Sequence, residues 1–216
     1  MVRDSLSRIL AHNLDNQHWT QAKLSVAAGG LGLRGAFEHA SAAYISSAMS
    51  CEHLVAQILE LDNLEINLSQ ALTHLSKELD MDGLSREGVL GETQKMLSTK
   101  IDSHKKSVFL SSLEKDRDKA RMGALGLSHS GDWLYVIPSP SLGLNLRPQE
   151  FRLACLYRLG AQVFGGDGPC VACRAHSDKF GDHAISCGWE GERIARHNSL
   201  KRCTLPYICL CISWSS

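Results

Sequence analysis

Apolar residues recur at intervals of three and four along most of the first half of the chain, the spacing of one face of an α-helix. This pattern predicts one amphipathic helix in residues 1–20, two packed helices joined near Ser50 in residues 36–64, and a further helix in residues 66–79. We therefore predict a mainly α fold, a helical bundle, with a helical body over residues 1–128.

Residues 92–121 continue the helical pattern but are rich in charge. Opposite charges stand three and four residues apart, which is more typical of a solvated helix face than of a nucleic-acid contact. We expect Val108, Phe109, Leu110 and Leu113 to be buried on the other side of this segment.

Residues 129–164 change character, since Pro138 and Pro140 exclude a long helix. We predict an extended connector here, with Trp133 docked on the helical body. A helix then begins at Pro148, because proline is favoured in the first turn, and ends at Gly160.

The chain has 216 residues and a formal net charge of zero, so no global field draws it to nucleic acid or to a membrane. No apolar run approaches the length of a membrane span, and the first residues lack the apolar segment of a secretory leader. We expect a cytoplasmic or nuclear protein with no membrane contact and no small-molecule substrate.

Four possible metal ligands follow the connector in the spacing C-x2-C-x9-H-x3-C, namely Cys170, Cys173, His183 and Cys187. The first pair can form a knuckle, and the second pair is spaced i and i+4, so that a short helix places both on one face. These four donors match one structural Zn²⁺ with no open position for water. His176 is an alternative nitrogen ligand, and a disulfide or unliganded thiols are the alternative use of the cysteines.

Other residues near these ligands, and other cysteines, suggest further roles. Asp178 or Asp182 could orient the ligand imidazole through its second nitrogen, although a solvated acid is the commoner case. Cys51 and Cys155 lie in apolar patterns and are predicted to be packed core thiols. Cys203, Cys209 and Cys211 lack a fourth ligand at useful spacing for a second metal site.

A basic helix is predicted directly after the metal-ligand stretch. Arg193, Arg196 and His197 are i, i+3 and i+4 neighbours, and Lys201 and Arg202 add further positive charge. Such a face could contact the phosphate backbone of RNA or DNA, or it could simply be solvated.

The pattern thus divides the chain into four segments. They are the helical body (1–128), the connector plus helix (129–164), a small irregular zinc-knuckle module with its basic helix (165–202) and an unstructured or aberrant tail (203–216).

A formal G-x-G-x-x-G occurs at Gly30, Gly32 and Gly35. A dinucleotide-binding enzyme would need a strand before it, at residues 24–28, and a helix after it, at residues 36–49. Because no strand–helix alternation follows, a glycine-rich turn before a small-residue helix is the favoured interpretation, and the enzyme remains the alternative.

Three stretches of the chain resemble the segment downstream of the reverse transcriptase in polyproteins of non-LTR (LINE-type) retrotransposons. Residues 29–34 and 42–46 are similar to the helical thumb region, and residues 131–152 are similar to the connector that follows it. Residues 170–198 are similar to the cysteine–histidine knuckle and the helix that enters the restriction-like endonuclease.

The resemblance implies a structural zinc site and weak, sequence-independent nucleic-acid binding, but no catalysis. The aspartate pair of the family's polymerase motif is absent from the chain, and residues 203–216 do not resemble the segment that carries the nuclease carboxylates. We therefore expect a non-catalytic remnant of such a polyprotein. A third hypothesis is a poorly folded fragment without function.

Overall fold

The structure, a computed structural model, describes residues 1–189. Met1–Gly160 forms one compact unit, which extends beyond the predicted helical body of residues 1–128 and takes the name helical body below. The chain from Ala161 onward belongs to a second unit. The described part of the second unit, residues 161–189, is here called the cysteine module. Most of the described chain is helical and only one short strand pair is formed within it, so the predicted mainly α class is confirmed.

Seven α-helices are described in the body, and short 3-10 turns connect several of them. The helices are α1 (Val2–Leu10), α2 (Asn16–Lys23), α3 (Ala36–Ile58), α4 (Ser69–Leu79), α5 (Gln94–Ser111), α6 (Asp116–Leu125) and α7 (Pro148–Leu159). The module contains β1 (Gly168–Pro169), β2 (His176–Ser177) and α8 (Asp182–Ser186).

The main core lies where α3 packs against α4 and α5. Its centre consists of fully buried side chains, among them Ile45, Leu75, Leu97 and Ile101. A second apolar cluster around Phe109 joins the end of α5 to the segment after α2 and to α6. The apolar spacing read from the sequence therefore marks the faces that these helices bury.

Helix α3 is continuous from Ala36 to Ile58, so the predicted break near Ser50 is wrong. The physical reason is that the helix contains no proline or glycine, and the Ser50 hydroxyl donates to the Ser47 carbonyl within the helix (3.0 Å). The chain leaves the helix only after Leu59, where Glu60 adopts a positive φ of 53°.

The first 20 residues form two helices rather than the single helix that the spacing predicts. Ala11 ends α1 in the left-handed conformation (φ 49°), and the Asp15 carboxylate accepts the His18 backbone N–H (2.8 Å) to begin α2. A side-chain cap of this kind favours a new helix start over continuation.

The charge-rich segment also forms two helices, and Thr93 caps the first of them by accepting the Met96 N–H. Phe109 and Leu113 are buried as predicted. Val108, however, is 55 % exposed, so its predicted burial is wrong. It lies one residue before Phe109 and thus about 100° away around the helix.

The connector after α6 is built from 3-10 turns at Asp132–Leu134 and Pro140–Leu142. The Trp133 ring packs edge-to-face on Phe151 of α7, with centroids 6.3 Å apart, so this ring contact is with the helix that follows the connector and not with the predicted body of residues 1–128. Helix α7 begins at Pro148 and ends at Gly160 in the left-handed conformation, as predicted.

The two cysteines of the helical body, Cys51 and Cys155, differ in environment. Cys155 on α7 is buried, as predicted, and burial raises the pKa of its thiol to about 11. Cys51 on α3 is exposed, so its predicted core position is wrong. It lies in the second half of α3, beyond the part of the helix that contributes Ala42, Ile45 and Ala48 to the core.

Within residues 1–189, no helix combines the length and the apolar character needed to cross a membrane.

Candidate metal centre

The cysteine module begins with a tight turn between two short strands. Gly168–Pro169 pairs antiparallel with His176–Ser177. Inside the turn the Cys170 N–H donates to the Ala175 carbonyl (2.7 Å) and the Arg174 N–H donates to the Cys170 carbonyl (3.0 Å). Arg174 adopts a positive φ of 64°, which closes the turn. The sequence C-x2-C is thus folded back so that both of its thiols belong to one small loop.

This turn directs backbone donors at the first thiol. The N–H groups of Cys173 and Ala172 donate to the Cys170 sulfur and, together with a hydrogen bond from His183, lower its pKa to about 6. Hydrogen bonds to a charged form stabilise it, so Cys170 favours the thiolate that metal binding requires.

The pKa of the second thiol, Cys173, is shifted in the opposite direction. The largest influence on Cys173, a hydrogen bond from the Ala175 N–H, lowers its pKa, but burial and the neighbouring thiols of Cys170 and Cys187 outweigh it. The pKa of Cys173 is therefore raised. Neighbouring thiols resist joint ionisation because their negative charges repel, and a bound cation removes that repulsion.

Asp178 holds the short helix α8 in place. Its carboxylate accepts three backbone N–H groups, from Phe180 (2.9 Å), Asp182 (3.1 Å) and His183 (2.7 Å). Burial raises the pKa of Asp178, but these backbone donors outweigh it and the pKa is lowered. The suggestion that Asp178 orients the ligand imidazole is wrong, because its oxygens bind the backbone instead. Sequence reasoning missed this capping role, which an aspartate shortly before a helix can signal.

Helix α8 then places the last two predicted ligands together. His183 and Cys187 are linked by a backbone hydrogen bond from the Cys187 N–H to the His183 carbonyl (2.7 Å). The His183 Nε2 atom lies 3.2 Å from the Cys173 sulfur. His176 lies in β2, is exposed and does not belong to this group.

All four predicted ligands converge. The ligand atoms of Cys170, Cys173, His183 and Cys187 lie within 4.8 Å of one another, and all four residues are partly buried. The three cysteines are not in disulfides. A group of three thiols and one imidazole at this separation could hold one metal ion.

The glycine-rich turn forms in a different context from the one that a dinucleotide site needs. Residues 24–28 are not a strand, because the Ser25 hydroxyl accepts the Ala28 N–H (3.3 Å) and a 3-10 turn follows. The N–H groups of Gly30 and Gly32 donate to carbonyls of this same segment, each at 2.9 Å. They are therefore not directed at a ligand, and the favoured interpretation as a turn before a small-residue helix is confirmed.

The start of α3 after this turn is also occupied by the chain's own carboxylate. Glu38 lies in the first turn of the helix and forms ion pairs with Lys23 (2.8 Å) and Lys105 (2.6 Å). A Cβ atom at Gly35 would lie 2.9 Å from the Glu38 carboxyl carbon, so glycine here leaves room for that carboxylate.

The predicted nucleic-acid contacts Arg193, Arg196, His197, Lys201 and Arg202 lie outside the described residues, as does the tail 203–216. Comparison of the chain with protein-family models, with curated proteins and with solved structures finds no match.

Proposed function

We propose that the cysteine module is a structural Zn²⁺ site that supports sequence-independent binding of nucleic acid. The single observation that carries the zinc site is the convergence of three thiols and one imidazole within 4.8 Å. Sulfur and imidazole nitrogen are the donors that Zn²⁺ prefers in structural sites.

The size of the group fits that ion. A tetrahedral site with metal–sulfur bonds of about 2.3 Å has ligand atoms roughly 3.8 Å apart. The distance of 3.2 Å between Cys173 and His183 and the limit of 4.8 Å for the whole group bracket this value. Only small side-chain movements would be needed to complete the tetrahedron.

The presence of four protein ligands also supports a structural role over a catalytic one. Catalytic zinc sites keep one position open for water or substrate, whereas four protein ligands fill the coordination shell. The ion would therefore tie the knuckle loop to α8 and would activate no water.

The nucleic-acid part of the proposal rests on the sequence after the module. Arg193, Arg196, Lys201 and Arg202 provide four positive charges close behind the last metal ligand. Together with the resemblance to non-LTR retrotransposon polyproteins, they favour a non-catalytic remnant that contacts phosphate backbones.

The zinc site is tested by measuring metal content in the full chain after purification without added metal. We expect one zinc per chain, lost in the Cys170→Ser, Cys187→Ser double variant. Cys51→Ser, which changes an exposed thiol outside the group, is the matched control and should retain the ion. Absence of zinc from the unaltered chain would refute the site and would favour the non-functional fragment.

Nucleic-acid binding is tested separately, by fluorescence anisotropy with a labelled single-stranded oligonucleotide. Four phosphate contacts at a slope of about −0.7 each predict a loss of ~50-fold in affinity between 50 and 200 mM salt. An affinity that does not change with salt would contradict the phosphate contacts. So would an affinity that is unaltered in the Arg193→Ala, Arg196→Ala double variant. Either result would leave the zinc site standing.

A further inference from the structure

A second site is suggested by an open cavity of about 640 Å³ in the helical body, remote in sequence from the metal ligands. One wall is α3 around Ser41 and Tyr44, and the other runs from Asn67, just before α4, to His74 within that helix. The cavity lining contains hydroxyl, amide and imidazole groups as well as small alanine side chains. Such a mixture of small and polar side chains leaves room for a small polar ligand.

Two of these groups form a pair with catalytic potential. The Ser41 hydroxyl oxygen lies 3.0 Å from His74 Nδ1. When the imidazole carries its proton on Nε2, the serine hydroxyl donates to Nδ1. A hydroxyl hydrogen-bonded to a histidine is the arrangement that activates a serine for nucleophilic attack.

The histidine of this pair is held in position by an aromatic neighbour. The Phe37 ring packs edge-to-face on the His74 imidazole, with centroids 4.5 Å apart and an angle of 88° between the planes. Ser41 is only 9 % exposed and sits on the rigid part of α3 that contributes to the core. The two side chains are therefore positioned by packed helices rather than by a loop.

The first turn of α4 contains two backbone N–H groups that belong to residues lining the same cavity. The Asn67 side-chain oxygen accepts the Ser69 backbone N–H (2.9 Å) and the Ser69 hydroxyl (2.7 Å). The next two residues of the helix, Gln70 and Ala71, also line the cavity. Their backbone N–H groups have no intrahelical acceptor, because they belong to the first turn. Donors of this kind can stabilise an oxyanion.

We propose that this cavity is a hydrolytic site for small carboxylic esters, in which Ser41 is the nucleophile and His74 is the general base. The Ser41 oxygen attacks the ester carbonyl carbon while His74 Nδ1 takes the hydroxyl proton. The bond to the leaving alcohol then breaks, and the alcohol oxygen receives that proton from the imidazolium. Water, deprotonated by the same imidazole, attacks the acyl-serine and releases the carboxylic acid, which restores the Ser41 hydroxyl.

This chemistry differs from polymerase and nuclease chemistry, neither of which we expect of this chain. It needs neither metal nor cofactor and does not depend on the zinc site. It departs from the non-catalytic role and from the expected absence of a small-molecule substrate, but its failure would leave the proposed zinc site and phosphate contacts untouched.

The test uses the full chain with p-nitrophenyl acetate as the substrate and a fluorophosphonate as the covalent probe. We expect hydrolysis above the buffer rate and probe attachment at Ser41 in mapped peptides. Since a positioned base contributes about 10²-fold or more, Ser41→Ala and His74→Gln should each lower the enzymatic rate by about 100-fold. Circular dichroism and thermal melting would show that both variants remain folded.

Ser47→Ala is the matched control, because Ser47 is an exposed serine on the same helix and outside the cavity. It should leave both the rate and the labelling of Ser41 unchanged. Hydrolysis that survives Ser41→Ala, labelling that survives His74→Gln, or no labelling of Ser41 in the unaltered chain would each overturn the proposal.

Discussion

The helical body and the cysteine module keep their shapes by different means. The body buries apolar side chains such as Ile45, Leu75 and Ile101 completely. The module buries very little apolar surface, and Phe164, Val171 and other large apolar side chains of its own are exposed. Its described order consists of backbone hydrogen bonds and of the convergence of four side chains that could hold a metal ion. A region too small for a core generally needs a metal or a disulfide to stay folded, whereas a helical bundle does not.

The largest effect is therefore expected from removing the proposed zinc ion. Structural zinc in small domains contributes roughly 10–16 kcal/mol of apparent binding free energy at neutral pH, which is far more than the module can replace. A strong chelator added to the full chain should unfold residues 161–189 and leave the body folded. Hydrogen exchange would show this as loss of protection at the Cys170, Arg174 and Cys187 amides, which are hydrogen-bonded in the folded module.

Protection of the Ile101 segment of α5 serves as the internal control in the same experiment. Retained protection of the three module amides in metal-free protein would show that the hydrogen bonds suffice on their own, and the comparison between the two regions would fail.

The next largest effect is expected in the body, from Ile101→Ala. Ile101 is fully buried in the core between α3, α4 and α5, so its truncation removes apolar contacts and leaves a cavity. The free energy of unfolding should fall by about 2–5 kcal/mol in denaturant titrations. Zinc content should not change, because the ligands lie in the other unit.

Val108→Ala, on the exposed face of the same helix, is the matched control. It should alter the free energy of unfolding by no more than about 0.5 kcal/mol. Equal losses from both variants would mean that α5 does not bury the face described here.

A smaller loss is expected from Arg158→Met, a change of similar length that removes the guanidinium. Arg158 is 2 % exposed and donates to the carbonyls of Gly30 (2.9 Å), Ser130 (3.1 Å) and Val26 (2.7 Å). Burial lowers its pKa. Leaving these carbonyls without donors should cost about 1–3 kcal/mol of unfolding free energy.

Arg147→Met is the control, since Arg147 is exposed and its guanidinium donates to the Glu150 carboxylate of the same helix start (2.6 Å). A calorimetric scan of both variants measures their melting temperatures, and only Arg158→Met should melt clearly below the unaltered chain. If Arg158→Met melts at the temperature of the unaltered chain, the three carbonyls find other donors or water.

These contacts explain why sequence reasoning succeeded in some places and failed in others. The convergence of the four candidate metal ligands could be predicted because their spacing is local, with four residues inside 18 positions folding around one point. The limits of α7 could be predicted for the same reason. Pro148 favours a helix start at its own position, and Gly160 ends the helix in the left-handed conformation. Local signals of this kind do not depend on the rest of the fold.

Features that depend on distant partners were not predictable. Arg158 meets Gly30 across 128 residues and Val26 across 132 residues, and no periodicity records such a pairing. Cys51 has an apolar neighbourhood in sequence, yet it is exposed because the core ends before that turn of α3. The Asp178 cap is local and was missed for another reason, since its carboxylate was assigned to the ligand imidazole instead of to the backbone N–H groups that it accepts.

The smallest effect concerns pH and the body's ion-pair network. Burial raises the pKa of Glu38, but hydrogen bonds and charges from Lys105 and Lys23 outweigh it and lower that pKa from 4.5 to about 2. A carboxyl with a lower pKa in the folded state stabilises that state above its unfolded pKa. This stabilisation is fully present above about pH 5 and is lost as the pH falls from 4.5 toward 2.

Glu38→Gln removes this contribution, so the variant should be less stable than the unaltered chain at pH 7 and nearly equal to it near pH 2. The difference at pH 7 should be about 1 kcal/mol, because solvent screens a partly exposed network. Urea titrations of the body at several pH values measure it, and subtraction of the two curves cancels the titration of all other groups. A difference that stays constant down to pH 2 would mean that Glu38 stabilises the body by packing alone, and the ion pairs would then add nothing to the apolar core.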